Sequence, residues 1–90
     1  MGNNKQTGQL VGPFSAKEEL YTKIKKDAAG SIKSIKHLGI QADKGSIFIM
    51  NNKEFEIGIT EIYEIENIVL TSLYFKNNMD NAIIDYVIEI

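Results

Sequence analysis

The sequence predicts an all-β domain, a small antiparallel β-sandwich or barrel of about six strands, led by an extended N-terminal arm and a candidate short helix. Three observations carry this. Residues 32–90 alternate apolar and polar side chains, are rich in Ile, and are cut by short Asn, Gly and Asp turns. No stretch of that span holds a 3.6-residue apolar period long enough for a helix. The apolar stretches are short and closely spaced, as in sandwiches and small barrels.

The arm comes first. Residues 1–12 (MGNNKQTGQLVG) are polar and Gly-rich, which predicts a disordered or extended segment in isolation. Leu10, Val11 and Phe14 are its apolar handles, and Phe14 could anchor the arm in a partner or sit in an inert tail. Ser15-Ala16-Lys17-Glu18 has the form of a capping box, with Pro13 just upstream. Leu20, Ile24 and Ala28 follow at i, i+4 spacing and Gly30 is a candidate stop, so residues 16–29 read as a short amphipathic helix. A competing reading is an exposed edge strand, because Leu20, Thr22 and Ile24 also alternate with Tyr21, Lys23 and Lys25.

The body follows. Residues 32–42 place Leu38, Ile40 and Ala42 on one face, and Asp43-Lys44-Gly45 turns the chain. Residues 46–50 and 53–57 flank Asn51-Asn52, and Asn tolerates the positive φ of a two-residue hairpin. That register pairs Met50 with Lys53 and Phe48 with Phe55, with Glu54 and Glu56 on the opposite face. Gly58 breaks the strand. Residues 61–65 form a short strand with Tyr63 and Ile65 on one face, and Glu66-Asn67 reads as a turn into residues 68–75. There Val69, Leu73 and Phe75 are out of phase with Ile68, Leu70 and Tyr74, which predicts a strand apolar on both faces and in need of cover. Residues 76–81 (KNNMDN) are the longest turn of the body. Residues 82–90 close it, with Ile84, Tyr86, Ile88 and Ile90 in phase and Ile83 and Val87 on the other face.

The chain has 90 residues, one domain at most, divided into an arm at 1–30 and a β-module at 31–90. A module of ~60 residues buries only ~60% of its unfolded surface. There are no cysteines to form disulfides and no Cys/His cluster for a structural zinc. Association with other chains is the remaining source of burial, so a homo-oligomer or a subunit docked on something larger is expected.

The net charge of −2 is unevenly divided: residues 1–44 carry eight Lys against four acids, and residues 45–90 two Lys against eight. A basic segment ahead of an acidic body is one form of nucleic-acid tail. Here the Lys are dispersed and Arg is absent, so complementarity between neighbouring subunits, or solvated faces, is the better reading and no nucleic-acid partner is expected. The first ten residues are polar and no apolar run approaches ~20 residues, so no membrane or export role is expected.

The chemical inventory argues against an enzyme. His37 is the only His, in a strand beside lysines with no marked nucleophile, and reads as a surface residue. Strand alternation puts most of Glu54, Glu56, Glu61, Glu64 and Glu66 on a wet face, a poor setting for paired-carboxylate catalysis. Asn77, Asn78, Asp80 and Asn81 offer oxygen ligands but do not fit a Ca²⁺ loop, and turn formation accounts for them. No catalytic residue, metal or cofactor is expected. Tyr63, Tyr74 and Tyr86 are candidates for a sugar-stacking platform, although core or interface tyrosines are commoner, and Tyr63 and Tyr74 with Asn77, Asn78 and Asp80 make an alternative ligand surface.

Several segments together resemble a known family. They are Gly39-Ile40-Gln41-Ala42 with Gly45; Asn52-Lys53-Glu54-Phe55-Glu56-Ile57-Gly58 leading into Thr60-Glu61-Ile62-Tyr63-Glu64-Ile65; Ile68 with Thr71-Ser72-Leu73-Tyr74-Phe75; and Ile83-Ile84-Asp85-Tyr86-Val87. They are similar to a small β-sandwich module of Firmicute bacteriophage structural proteins, of the head-decoration, head-fibre and neck or tail accessory type. The middle motif of that family reads I-G-x-T-G-I-Y-E-L; here Glu61 stands for the second Gly and Ile65 for the Leu. The likeness covers about two-thirds of the chain, and its motifs are turn and strand signatures with no catalytic residues. It implies a virion accessory subunit assembled in the host cytoplasm, with other phage structural proteins as partners. The arm would then dock it through Leu10, Val11, Phe14, Leu20 and Ile24. The rival expectation is a carbohydrate-binding or host-attachment module.

Overall fold

The computed structural model describes residues 5–28 and 32–89. Seven strands and one helix run in the order β1 (Lys5–Val11), α1 (Leu20–Asp27), β2 (Ser34–Gln41), β3 (Ile47–Met50), β4 (Lys53–Glu56), β5 (Ile62–Ile68), β6 (Leu73–Phe75) and β7 (Ile83–Glu89). They form two antiparallel sheets, a four-stranded sheet β1-β7-β2-β5 and a three-stranded sheet β4-β3-β6. The fold is the small all-β sandwich that the alternation predicts.

Five of the six expected strands form, the one expected over residues 68–75 is reduced to Leu73–Phe75, and the arm supplies a further strand. Residues 5–11 pair with β7 from Lys5↔Glu89 to Val11↔Ile83, and Phe14 is buried and stacked on Phe75 at 5.9 Å. The described part of the arm is therefore built into the body, which corrects the division at residue 30. The physical reason is a close approach between distant parts of the chain. Gly8 leaves room for the Tyr86 side chain, and a Cβ at position 8 would lie 2.2 Å from Tyr86 Oη. A polar-looking strand can thus close the sheet edge over a large buried ring. Residues 1–4, where the rest of the expected arm falls, lie outside the described residues, as do the candidate stop Gly30 and Ile90.

The helix reading holds over a shorter span. Ser15 N–H donates to Glu18 Oε1 at 2.9 Å, but the box closes a turn with Lys17 at φ 65° rather than the helix start. The helix begins at Leu20 behind Glu19, whose carboxylate accepts from Tyr21 N at 3.1 Å and from Leu73 N at 2.7 Å. Leu20, Ile24 and Ala28 all face the core, as their spacing predicts. At the far end Asp27 accepts from Tyr86 Oη at 2.8 Å, and its carbonyl accepts from Gln6 Nε2 at 2.8 Å. The helix is thus pinned to β6 at one end and to β1 and β7 at the other. Burying Leu20 and Ile24 stabilises this closure by ~1.5–3 kcal/mol each.

The hairpin forms in the expected register, Phe48↔Phe55 and Met50↔Lys53. Asn51 and Asn52 have φ 52° and 67°, the left-handed pair a two-residue hairpin turn requires. Phe48 stacks on Phe55 at 5.3 Å and meets Tyr63 of β5 edge-on at 5.2 Å, which joins the two sheets. In β2 the register against β7 shifts between Ile35 and His37. This bulge lets both Ile35 and Leu38 reach the core although they are three apart.

A segment of the body also differs from its prediction. Glu66-Asn67 is no turn, because β5 runs on to Ile68 with Asn67 at φ 56°. The chain crosses to the three-stranded sheet over residues 69–72, held by Asn51: its Oδ1 accepts from Thr71 N at 2.7 Å and Thr71 Oγ1 at 3.0 Å, and its Nδ2 donates to Val69 O at 2.8 Å. The expected two-sided apolar strand is therefore two elements and a loop. Leu70, Leu73 and Phe75 face the core, while Val69 is exposed in the loop.

Candidate functional site

The five residues expected to bind a partner do not form one surface. Phe14, Leu20 and Ile24 are buried core residues, Leu10 is half-buried on the inner face of β1, and Val11 is exposed beside it. Spacing could not separate these roles, because an i, i+4 apolar stripe looks alike whether it faces its own sheet or a neighbour. Of the five, Val11 is the one left fully exposed, at the end of β1.

The alternative ligand surface also divides. Tyr63 is packed between Phe48 and Phe55, with ring centroids 5.2 and 5.4 Å away. Tyr74 is half-buried on β6, and Tyr86 is buried in the core on β7, so the three tyrosines form no exposed platform. Asn78 Oδ1 accepts from Ala16 N at 2.7 Å, so that side chain secures the segment before α1. Asn77, Asn78 and Asp80 do meet at one end of the sandwich, where two hollows adjoin and share Asp43, Asp80 and Asn81. One, of about 330 Å³, is lined also by Gln41 and Glu61; the other, of about 420 Å³, also by Lys44 and Ser46. None of the three tyrosines lines them. The sequence reading grouped Asn81 with Asn77, Asn78 and Asp80 but missed Gln41, Asp43 and Glu61 as neighbours here, because loops distant in the chain bring them together.

His37 stands on the outer face of the four-stranded sheet, with Glu64 and Glu66 of the adjacent strand 3.7 and 3.8 Å from its two ring nitrogens. The three groups form a polar row open to solvent. Among the described residues no three His, Cys, Asp or Glu side chains are grouped as a metal site would need, and no helix is long and apolar enough to cross a membrane.

Titration behaviour marks the frame of the fold. Burial and the Asp27 carboxylate push the Tyr86 hydroxyl up to about 12. The Lys23 ammonium, 2.6 Å away, and the Ser15 N–H hold the Glu18 carboxyl below its usual range. Lys36 does the same for Glu89. All three groups tie one element to the next.

The remaining contact features lie at strand edges. β1 and β5 bound the four-stranded sheet, and no other described strand pairs with either outer edge. Of the four large apolar residues most exposed among those described, Val11 sits on β1 and Ile62 on β5. Comparison with protein-family models, with curated proteins and with solved structures finds no match.

Proposed function

We propose that the chain is a bacteriophage virion accessory protein, a capsid-decoration, neck or tail subunit that acts by assembly with other phage structural proteins. The observation that supports this is the place of the phage-like segments in the fold. Gly39 to Ala42 lie in and just after the central strand β2, Asn52 to Gly58 build β4 and its flanking turns, and Ile83 to Val87 lie in the central strand β7. Glu61, where the family motif has Gly, takes φ 61°, the left-handed conformation that favours Gly. The segments that carry the resemblance are thus the framework of this sandwich.

Docking in this reading uses the sheet edges rather than a free arm, because Phe14, Leu20 and Ile24 serve the core. The test is electron microscopy of particles produced with and without the gene. Loss of a defined density on the capsid, neck or tail is expected. Identical particles, together with no labelling of wild-type virions by an antibody to the chain, would overturn the proposal. Binding to a glycan array that is lost on Asn77→Ala or Asp80→Ala would favour host attachment through the hollows instead.

A further inference from the structure

We infer that copies of this chain join head to tail, the outer edge of β1 in one pairing antiparallel with the outer edge of β5 in the next to continue the four-stranded sheet. The strand directions allow it. β1, β7, β2 and β5 alternate in direction, so a copy translated sideways brings β5 against an antiparallel β1.

The hydrogen-bonding phase of the two edges then fixes the register. Gly12 N–H donates to Ala82 O at 2.8 Å, and Gly12 continues the β1–β7 register. Bonded pairs alternate along an antiparallel ladder, so Gln6, Gly8 and Leu10 turn their backbone groups to β7. Thr7, Gln9 and Val11 turn theirs outward. At the other edge Ala42 N–H donates to Glu61 O at 3.1 Å. By the same alternation Tyr63 and Ile65 bond to β2, and Ile62, Glu64 and Glu66 face outward.

Setting Val11 opposite Ile62, Gln9 opposite Glu64 and Thr7 opposite Glu66 pairs outward groups with outward groups throughout. The same register continues the side-chain rows already crossing the sheet. One outer-face row is Val11–Ile83–Gln41–Ile62, and the next is Gln9–Asp85–Gly39–Glu64. Joined copies place exposed Val11 beside exposed Ile62. Gln9, whose Nε2 already donates one hydrogen to Asp85 Oδ1 at 2.8 Å and keeps a second, and Thr7 then face Glu64 and Glu66. Lys5, just beyond the ladder, lies diagonal to Glu66 and adds one contact of opposite charge. On the inner face, half-buried Leu10 covers half-buried Tyr63. The left-handed Asn67 ends the ladder, so pairing spans residues 7–11 against 62–66. Such a heterologous contact closes into rings or runs on as a filament. It does not depend on where the protein works: a monomer would overturn this contact and leave the virion assignment standing, and absence from particles would do the reverse.

The cysteine-free chain makes the test direct. Purified Gln9→Cys and Glu64→Cys proteins are treated with a short bismaleimide, separately and mixed. A cross-linked dimer is expected in the mixture, little in either alone, and a ladder of multimers from the double variant. Thr7→Pro removes an outward N–H without touching the bonds to β7, and should abolish the dimer while circular dichroism stays β. Val11→Asp, at an exposed position, should weaken the cross-link at least tenfold and serves if Thr7→Pro fails to fold. Self-cross-linking of Gln9→Cys alone would show a two-fold β1–β1 contact and overturn the inference. So would a concentration-independent monomer mass in sedimentation, or an unchanged dimer yield in folded Thr7→Pro or Val11→Asp protein.

Discussion

Replacing Glu61 with Gly should stabilise the protein. Glu61 lies at φ 61° in the turn that leads into β5. An L-residue in that region costs about 1–2 kcal/mol, which Gly does not incur. Against this, the greater freedom of Gly in the unfolded chain costs about 0.4–1 kcal/mol. The Glu61 side chain also accepts from Lys44 N, but at 3.3 Å and exposed, a bond worth no more than roughly 0.5 kcal/mol. The turn's backbone bonds, Glu61 N to Gly58 O and Ala42 N to Glu61 O, survive the substitution. Glu61→Ala is the informative partner, because it removes the same carboxylate and keeps the Cβ. The two variants differ only in the backbone effect, so Gly should exceed Ala by about 0.5–1 kcal/mol. That corresponds to about 3–6 °C in Tm for a domain of this size. Urea unfolding with an unchanged m-value reads the difference. If Ala proves as stable as Gly, the strain assigned to position 61 is absent and the parallel with the family glycine fails with it.

Further outcomes follow from the same geometry. Gly8→Ala places a Cβ 2.2 Å from Tyr86 Oη; the ring must shift and the Asp27 bond is lost, so a loss of about 1–3 kcal/mol is expected in urea unfolding. Asn51→Ala removes the acceptor for Thr71 N and the donor to Val69 O, with a loss of about 1–3 kcal/mol and faster amide exchange in residues 69–72, whereas Asn52→Gly should be neutral or better. Tyr86 titrates higher in the folded chain, raised from 10.0 to about 12; its contribution is complete below pH 10.0 and is lost as pH rises through about 12. Tyr86→Phe should flatten that decline in a pH series of unfolding midpoints, and an unchanged slope would show that ionisation of Tyr86 is not its source.

What was legible in the sequence was local. The Asn51-Asn52 hairpin was readable because a two-residue turn sets the register of its flanks without outside help. The Leu20, Ile24 and Ala28 stripe was readable because one helix face repeats every few residues. β1 was not, since Gln6 and Gly8 point inward and carry no apolar signal; Gly8 stands there because of Tyr86, far along the chain. The turn placed at Glu66-Asn67 failed for a related reason. A left-handed Asn marks a turn or a kinked strand equally well, and the actual crossing to the other sheet is held by the Asn51 side chain of the β3–β4 hairpin. The hollows at the end of the sandwich escaped notice because they exist only where three loops converge.

The strand order also governs when the molecule can assemble. β7 lies between β1 and β2, yet it leaves the ribosome after every other strand. The hairpin of β3 and β4 can form from nearby residues and recruit β6 soon after. The four-stranded sheet must wait, with β1 unpaired and one edge of β2 open, until β7 arrives to fill the gap between them. Contacts so distant along the chain are slow to close, and an open strand edge can meanwhile be taken by another chain. Nascent chains held on neighbouring ribosomes would be the most exposed to such exchange. Arrival of β7 therefore ends the interval of greatest misassembly risk, and its early emergence in a circularly permuted chain should raise soluble yield.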